Sequence, residues 1–187
     1  VRLEKRKMKN MRKIMNGDSI DKTLSRLSHE IIERNENLNE LVLIGIKSRG
    51  DIIAKRIAEK IKSFSKIDIP VGALDISFYR DDVSLKIPKV IQPSDIGFDI
   101  NGKNVILIDD VLFTGRSIRS AIDALLDFGR PAKVQLLVLV DRGHKELPIH
   151  ADYVGKDIPT SLKEEVKIKV KEIDGEDSVN VEVVGKE

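Results

Sequence analysis

The sequence predicts an open α/β fold, a mostly parallel twisted sheet with helices on its faces. Three observations carry this. Short, nearly continuous apolar runs at 41–46 (LVLIGI), 105–108 (VILI) and 134–140 (VQLLVLV) read as strands buried on both faces, as in parallel sheets. Segments with apolar residues at helical spacing lie between them. Strict alternation of apolar and polar residues is confined to the C-terminal end, where it predicts a small antiparallel element.

In chain order, residues 1–16 are basic with no secretory apolar stretch, so 1–17 reads as a disordered basic tail, with a nucleic-acid-binding arm as the alternative. Ile20, Leu24, Leu27 and Ile31 predict an amphipathic helix over 19–36, capped by Asp18 or Ser19. The strand at 41–46 leads through a polar turn, KSRG, into a helix over 51–63 with Ile53, Ile57 and Ile61 inward. Residues 71–79 read as another strand. The stretch 80–104, with Pro88 and Pro93, is long for a structureless connection, and such loops are usually functional or mobile. After the strand at 105–108, a helix spans 117–128 with Ile118, Ile122, Leu125 and Leu126 inward, ended by Gly129 and Pro131. The strand at 134–140 follows. Val166, Ile168 and Val170 alternate, as do Val179, Val181 and Val183, around a turn-like DGED at 174–177. One domain over 18–187 results, with a small hood at about 141–161 and a terminal hairpin at about 164–185.

A chain of 187 residues buries a real core. Lys and Arg number 33 against 31 Asp and Glu, a formal net charge of +2, so any nucleic acid must be met by a local patch. The absence of cysteine excludes disulfides, thiolate nucleophiles and Cys-ligated metals, and is compatible with a reducing cytoplasm. No apolar run approaches the roughly 18 residues that a membrane helix needs.

The chemistry concentrates in 105–117, VILIDDVLFTGRS. Adjacent acids, Asp109 and Asp110, follow a buried strand, and Thr114, Gly115, Arg116 and Ser117 open a helix. Open α/β sheets bind ligands at the carboxyl ends of their strands. A helix N-terminus suits a phosphate, Gly115 allows close backbone approach, and Thr114 and Ser117 add hydroxyl donors. The carboxylates suit sugar hydroxyls, a metal, or positive charge developing on a sugar. The glycines and lysine of a Walker A or GxGxxG loop are missing.

This segment resembles the phosphoribosyl-pyrophosphate (PRPP) motif of type I phosphoribosyltransferases. LVLIGIKSRG, DISFYRDD, DALLDFGRP and VLVDRGHKELPIHADYVGKDIPTS extend the resemblance, from about Asp18 onward, to the PyrR family. Those proteins are pyrimidine-operon attenuators that bind leader mRNA and also have uracil phosphoribosyltransferase activity. The resemblance implies the reaction of uracil with PRPP to give UMP and pyrophosphate. Asp109 and Asp110 would hold the ribose hydroxyls and stabilise an oxocarbenium-like centre. Val111, Leu112, Phe113, Thr114, Gly115, Arg116 and Ser117 would form the loop around the 5-phosphate. Lys47, Ser48, Arg49 and Gly50 resemble the pyrophosphate loop, where a non-proline cis peptide is common; taken alone, KSRG is an ordinary solvated turn. Arg80 would open a lid and reach pyrophosphate. Mg²⁺ would ride on pyrophosphate and sugar oxygens without a protein cage, and no organic cofactor is implied. Val140, Asp141, Arg142, Tyr153 and Val154 would read uracil, largely through backbone groups, under a roof at 152–161.

Lys22, Ser25, Arg26 and His29 fall opposite Leu24 and Leu27 on the first helix. Spacing alone makes this a solvated face. The resemblance makes it an RNA site, together with Arg34, Lys47, Arg142, Lys145 and His150. Ser25 stands where the family usually has threonine, and Lys145 and His150 where arginines are common. Lysine loses the planar fork, and neutral histidine loses the charge. The family also implies homodimers or homohexamers, and RNA binding coupled to UMP or UTP. Two rivals remain: a transferase for a purine base with no RNA role, and an RNA-binding regulator whose site only senses nucleotide.

Overall fold

A computed structural model describes residues 11–79 and 93–183. Residues 11–16, expected within the tail, form strand β1 (Met11–Asn16), antiparallel to the last strand of the chain. Met15 is buried in the core, which ties the strand down. Asn16 caps helix α1 (Gly17–Arg34), its side chain accepting the Ser19 N–H at 2.9 Å, in place of the expected Asp18 or Ser19 cap.

Strand β2 (Leu41–Ile46) is buried throughout. Helix α2 (Gly50–Ser65) follows, then β3 (Val71–Leu74), which stops short of the expected Tyr79. An Asx turn ends it: Ser77 N–H donates to the Asp75 carboxylate, and Asp75 N–H to Ser94 Oγ. Strand β4 (Asn104–Leu112) runs past Ile108, because its pairing with β5 (Lys133–Asp141) continues to Leu112 opposite Asp141. Helix α3 (Arg116–Leu125) lies between them; Ala121 and Ala124 fill inward positions, and Leu126 is exposed. Strand β6 (Tyr153–Asp157), expected within the hood, pairs parallel with β5. The central sheet is therefore five-stranded and parallel, in the order β3-β2-β4-β5-β6.

Alternate residues of these strands face two apolar layers. Leu41, Leu43, Ile106 and Ile108 meet α1 and α2; Val42, Ile44, Val105 and Leu107 meet α3. The expected hairpin, β7 (Glu164–Lys169) and β8 (Ser178–Val183), sets Val166 opposite Val181 and Ile168 opposite Val179. A short helix, α4 (Lys171–Asp174), fills the connection, and β1 makes this a second sheet of three strands. Its apolar face joins the α1 and α2 side of the core.

Two glycines place the site. A Cβ on Gly45 would fall 2.2 Å from Asp51 Cα, and one on Gly50 would fall 2.3 Å from Ile108 O. Only glycine lets the start of α2 settle onto the β2 and β4 backbones. That contact sets the KSRG turn beside the acidic end of β4.

Candidate functional site

The acids lie inside β4 rather than after it, so the pleat turns them to opposite faces. Asp109 is buried and accepts the Asp110 N–H at 2.9 Å. Asp110 shares its face with Ile108, toward α2. Burial pushes its carboxyl above the usual range, with the Arg49 charge opposing. Beyond β4 the chain turns at Gly115 (φ 90°) into α3, whose first N–H groups lack intrahelical partners. Residues 142–147 brace this turn. Arg142 N–H donates to Leu112 O at 3.0 Å, and Glu146 N–H to Thr114 O at 2.9 Å. Arg116 forms an ion pair with Glu146 at 2.8 Å, so its side chain is turned along the loop.

The Lys47–Ser48 peptide is cis. Lys47 N–H donates to Leu74 O at 2.9 Å and Lys47 Nζ to Pro93 O at 2.7 Å. Arg49 Nη2 meets Asp174 Oδ1 at 3.1 Å. Sequence reading missed Asp174 entirely, taking DGED as a turn and nothing more.

Three expected site residues make side-chain contacts within the protein. Arg142 is buried: Nε donates to Thr160 Oγ1 at 3.2 Å, Nη2 to Glu164 O at 2.5 Å, and the guanidinium lies 4.0 Å from the Phe113 ring centroid. Burial pulls it below the ordinary arginine value. It ties Phe113 in the loop before α3 to Thr160 and to the start of β7. The Tyr153 side chain is fully buried, its hydroxyl accepting from Asn35 Nδ2 at 3.2 Å, so only its backbone groups answer to the expected contact with a base. Lys145 pairs with Asp141 at 2.7 Å, joining two expected residues to each other. Val140 is buried, and Val154 packs on the α3 side. Sequence reading also missed His144, whose ring lies edge-on to Phe113 and whose Nε2 is 2.6 Å from Thr160 O.

On α1, Lys22 is exposed, as is His150 beyond β5. Arg26 donates to Val154 O at 3.0 Å and Gly155 O at 2.7 Å, and Arg34 to Asp152 O at 2.9 Å. These arginines clamp α1 to the outer edge of β6. Ser25 Oγ donates within the helix to Asp21 O at 2.9 Å, and His29 stacks on Phe64 at 4.1 Å. Arg80 lies outside the described residues, as do residues 1–10 and 184–187 of the expected tail and hairpin. Among the described residues, no helix is long and apolar enough to cross a membrane.

Residues 13–172 match the phosphoribosyl transferase domain family. The chain is 51% identical over 173 residues to the bifunctional protein PyrR of Ligilactobacillus salivarius (strain UCC118), covering 91% of this chain and 97% of that protein. The chain belongs to the PyrR family of phosphoribosyltransferases. The bifunctional protein PyrR of Clostridium beijerinckii is 55% identical over 170 residues, covering 90% of this chain and 95% of that one. Solved structures agree on the fold. A hypoxanthine phosphoribosyltransferase of Staphylococcus aureus superposes with a TM-score of 0.69 at 19% identity, covering 97% of this chain and 94% of that one. That of Trypanosoma cruzi superposes at 0.67 and 18% identity, covering 92% and 96%. At such identities only the fold is shared. The open parallel sheet expected from the apolar runs is thus the type I phosphoribosyltransferase fold, and the PyrR resemblance of the motifs holds over most of the chain.

Proposed function

We propose that the chain transfers ribose 5-phosphate from PRPP to uracil, giving UMP and pyrophosphate, and that it binds pyrimidine-operon leader mRNA in response to uridine nucleotides. One observation carries the chemistry. Asp109 and Asp110 lie in the C-terminal part of β4, which leads into the N-terminus of α3, and the charge of Arg49 acts on Asp110. The 5-phosphate would sit at the N-terminal N–H groups of α3, and Arg49 would meet the pyrophosphate. The ribose then lies over the acids, which offset charge developing at the anomeric carbon as pyrophosphate leaves. Uracil would stand over the carboxyl ends of β5 and β6, near Val140 and Asp141. Arg80 is proposed to close over the pyrophosphate.

Mg²⁺ would be carried on pyrophosphate and sugar oxygens of PRPP, and the carboxylate oxygens of Asp109 or Asp110 are the protein donors of the type it prefers. Among the described residues, no cluster of three His, Asp or Glu side chains could hold a metal. When bound with PRPP it supplies charge neutralisation on the leaving group.

The test is a base panel with PRPP and Mg²⁺. UMP should form from uracil, with no nucleotide from hypoxanthine or adenine. Absence of UMP, together with unchanged nucleotide binding in Asp110→Asn, would sink the transferase reading. Nucleotide binding without turnover would leave a sensor. For RNA, titration with a leader stem-loop at stated salt, with and without UMP, should show tighter binding in the presence of UMP. The same family supports assembly as homodimers or homohexamers, which light scattering would separate, and a cytoplasmic site of action.

A further inference from the structure

We infer that Asp174 is a positioning residue for the transfer reaction: it holds the Arg49 guanidinium in the pyrophosphate loop, where the leaving group will arrive. The inference rests on the transferase reading above and extends it to the second sheet.

Two arginines of the α2 region face the connection between β7 and β8, and they are used differently. Arg56 is held from three directions. Its Nε donates to Glu172 Oε1 at 2.9 Å, and its Nη2 to Glu172 Oε2 at 2.6 Å and Asp177 Oδ1 at 2.8 Å. That is a docking contact between α2 and the small sheet. Arg49 is held through Nη2 alone, at 3.1 Å and 3.3 Å from the two Asp174 oxygens. Its Nε is buried and has no hydrogen-bond partner among the described residues. A side chain selected for stability would not leave that donor unmade. The Arg49 arrangement fixes one edge of the guanidinium through Asp174; among the described residues no further hydrogen bond of its side chain competes with an incoming anion.

Asp174 is itself rigid. Its Oδ2 accepts the Val170 N–H at 2.9 Å, and its own N–H donates to Val170 O at 2.7 Å. Gly175 closes the turn in the left-handed region at φ 77°. The Val170 N–H first, and Arg49 after it, keep the carboxyl below its usual range, so it is ionised at neutral pH. The Arg49 charge also acts on Asp110, where it opposes the effect of burial. An arginine has many rotamers, and fixing one before substrate arrives removes an ordering cost from the binding step. The small sheet therefore reaches the reaction through a single carboxylate.

The test uses the full chain as purified. Asp174→Asn keeps an oxygen to accept the Val170 N–H and removes only the charge. Its KM for PRPP should rise about tenfold, while kcat and the KM for uracil stay within about twofold. The Kd for UMP, which carries no pyrophosphate, should not move. Asp174→Glu should recover part of the loss. Glu172→Gln, which loosens the neighbouring docking contact, should leave the PRPP KM unchanged. An Asp174→Asn KM for PRPP within about twofold of the parent overturns the inference. So does a lower KM, which would make Asp174 a competitor for Arg49, or a parallel weakening of UMP binding, which would make it merely structural. If the parent itself makes no UMP, the transferase reading falls. The inference is then decided by calorimetry with magnesium pyrophosphate: about tenfold weaker binding in Asp174→Asn supports it, and equal or absent binding in both proteins overturns it.

Discussion

Asp110 is asked to be charged where the fold would prefer it neutral. Burial raises its pKa from the ordinary 3.8, and Arg49 only partly opposes this. The folded chain therefore binds that proton more readily than the unfolded one. The stability Asp110 contributes is complete below pH 3.8 and is lost as pH rises through the raised value. At neutral pH the buried carboxylate destabilises, a pattern common where a side chain serves chemistry. Asp110→Asn should accordingly raise the melting temperature by about 3 °C at pH 7, with the gain fading toward pH 3. Turnover should drop by about 100-fold or more, because the charge facing the anomeric carbon is gone. Calorimetric melts across pH, paired with UMP formation, check both halves. A variant that loses activity and stability together at pH 7 would mean that Asp110 is a structural acid.

At the level of elements, α1 and β6 form one unit. Arg26 and Arg34 use their guanidinium groups on backbone carbonyls of residues 152–155, and Gly155 lets β6 lie close on β5 and under α1, since a Cβ there would fall 2.4 Å from Leu139 O and 3.0 Å from Thr23 Cγ2. These arginines support the face they were expected to present to RNA, and Lys22 is the cleaner probe of it. Lys22→Ala should lower leader affinity and reduce the salt slope by about one, with no change in melting temperature. Arg26→Ala should weaken RNA binding and also destabilise by about 1 kcal/mol. Equal thermal losses in the two variants would show that Lys22 is not simply a phosphate contact. How much of this was legible follows from range along the chain. Residues 41–46, 105–108 and 134–140 declared themselves by local apolar runs, and the acids, Gly115 and the helix start lie within one short segment. β1 did not: most of its residues are exposed, Arg12 and Lys13 among them, and its partner β8 stands at the far end of the chain. β6 is a short edge strand with only Tyr153 buried, so no apolar run marked it. The Arg49–Asp174 contact spans 125 positions and joins a loop to the end of the four-residue α4, where periodicity says nothing.

Across the whole molecule the two sheets share one interior. Met15, Val166, Ile168, Val179 and Val181 of the small sheet belong to the same apolar cluster as Leu24 and Ile53 of the helices and Leu43, Ile106 and Leu137 of the large sheet. The small sheet also reaches α2 through Glu172 and Asp177, and the loop before α2 through Asp174. Such continuity predicts that it cannot melt alone. Val181 lies in β8, 2% exposed, opposite Val166 on one side and Arg12 on the other. Val181→Ala removes two methyl groups far from the acids and should cost about 2 kcal/mol. That loss should appear as a shift of one urea transition, identical by far-ultraviolet circular dichroism and by hydrogen exchange of β4 amides. If the β8 amides instead exchanged early while β4 stayed protected, the small sheet would be a separate folding unit. Its hold on Arg49 would then loosen without loss of the fold, and the PRPP site would weaken before the protein unfolded. A single transition means that the loop at 47–50, proposed to hold pyrophosphate, is as firmly positioned as the core beneath it.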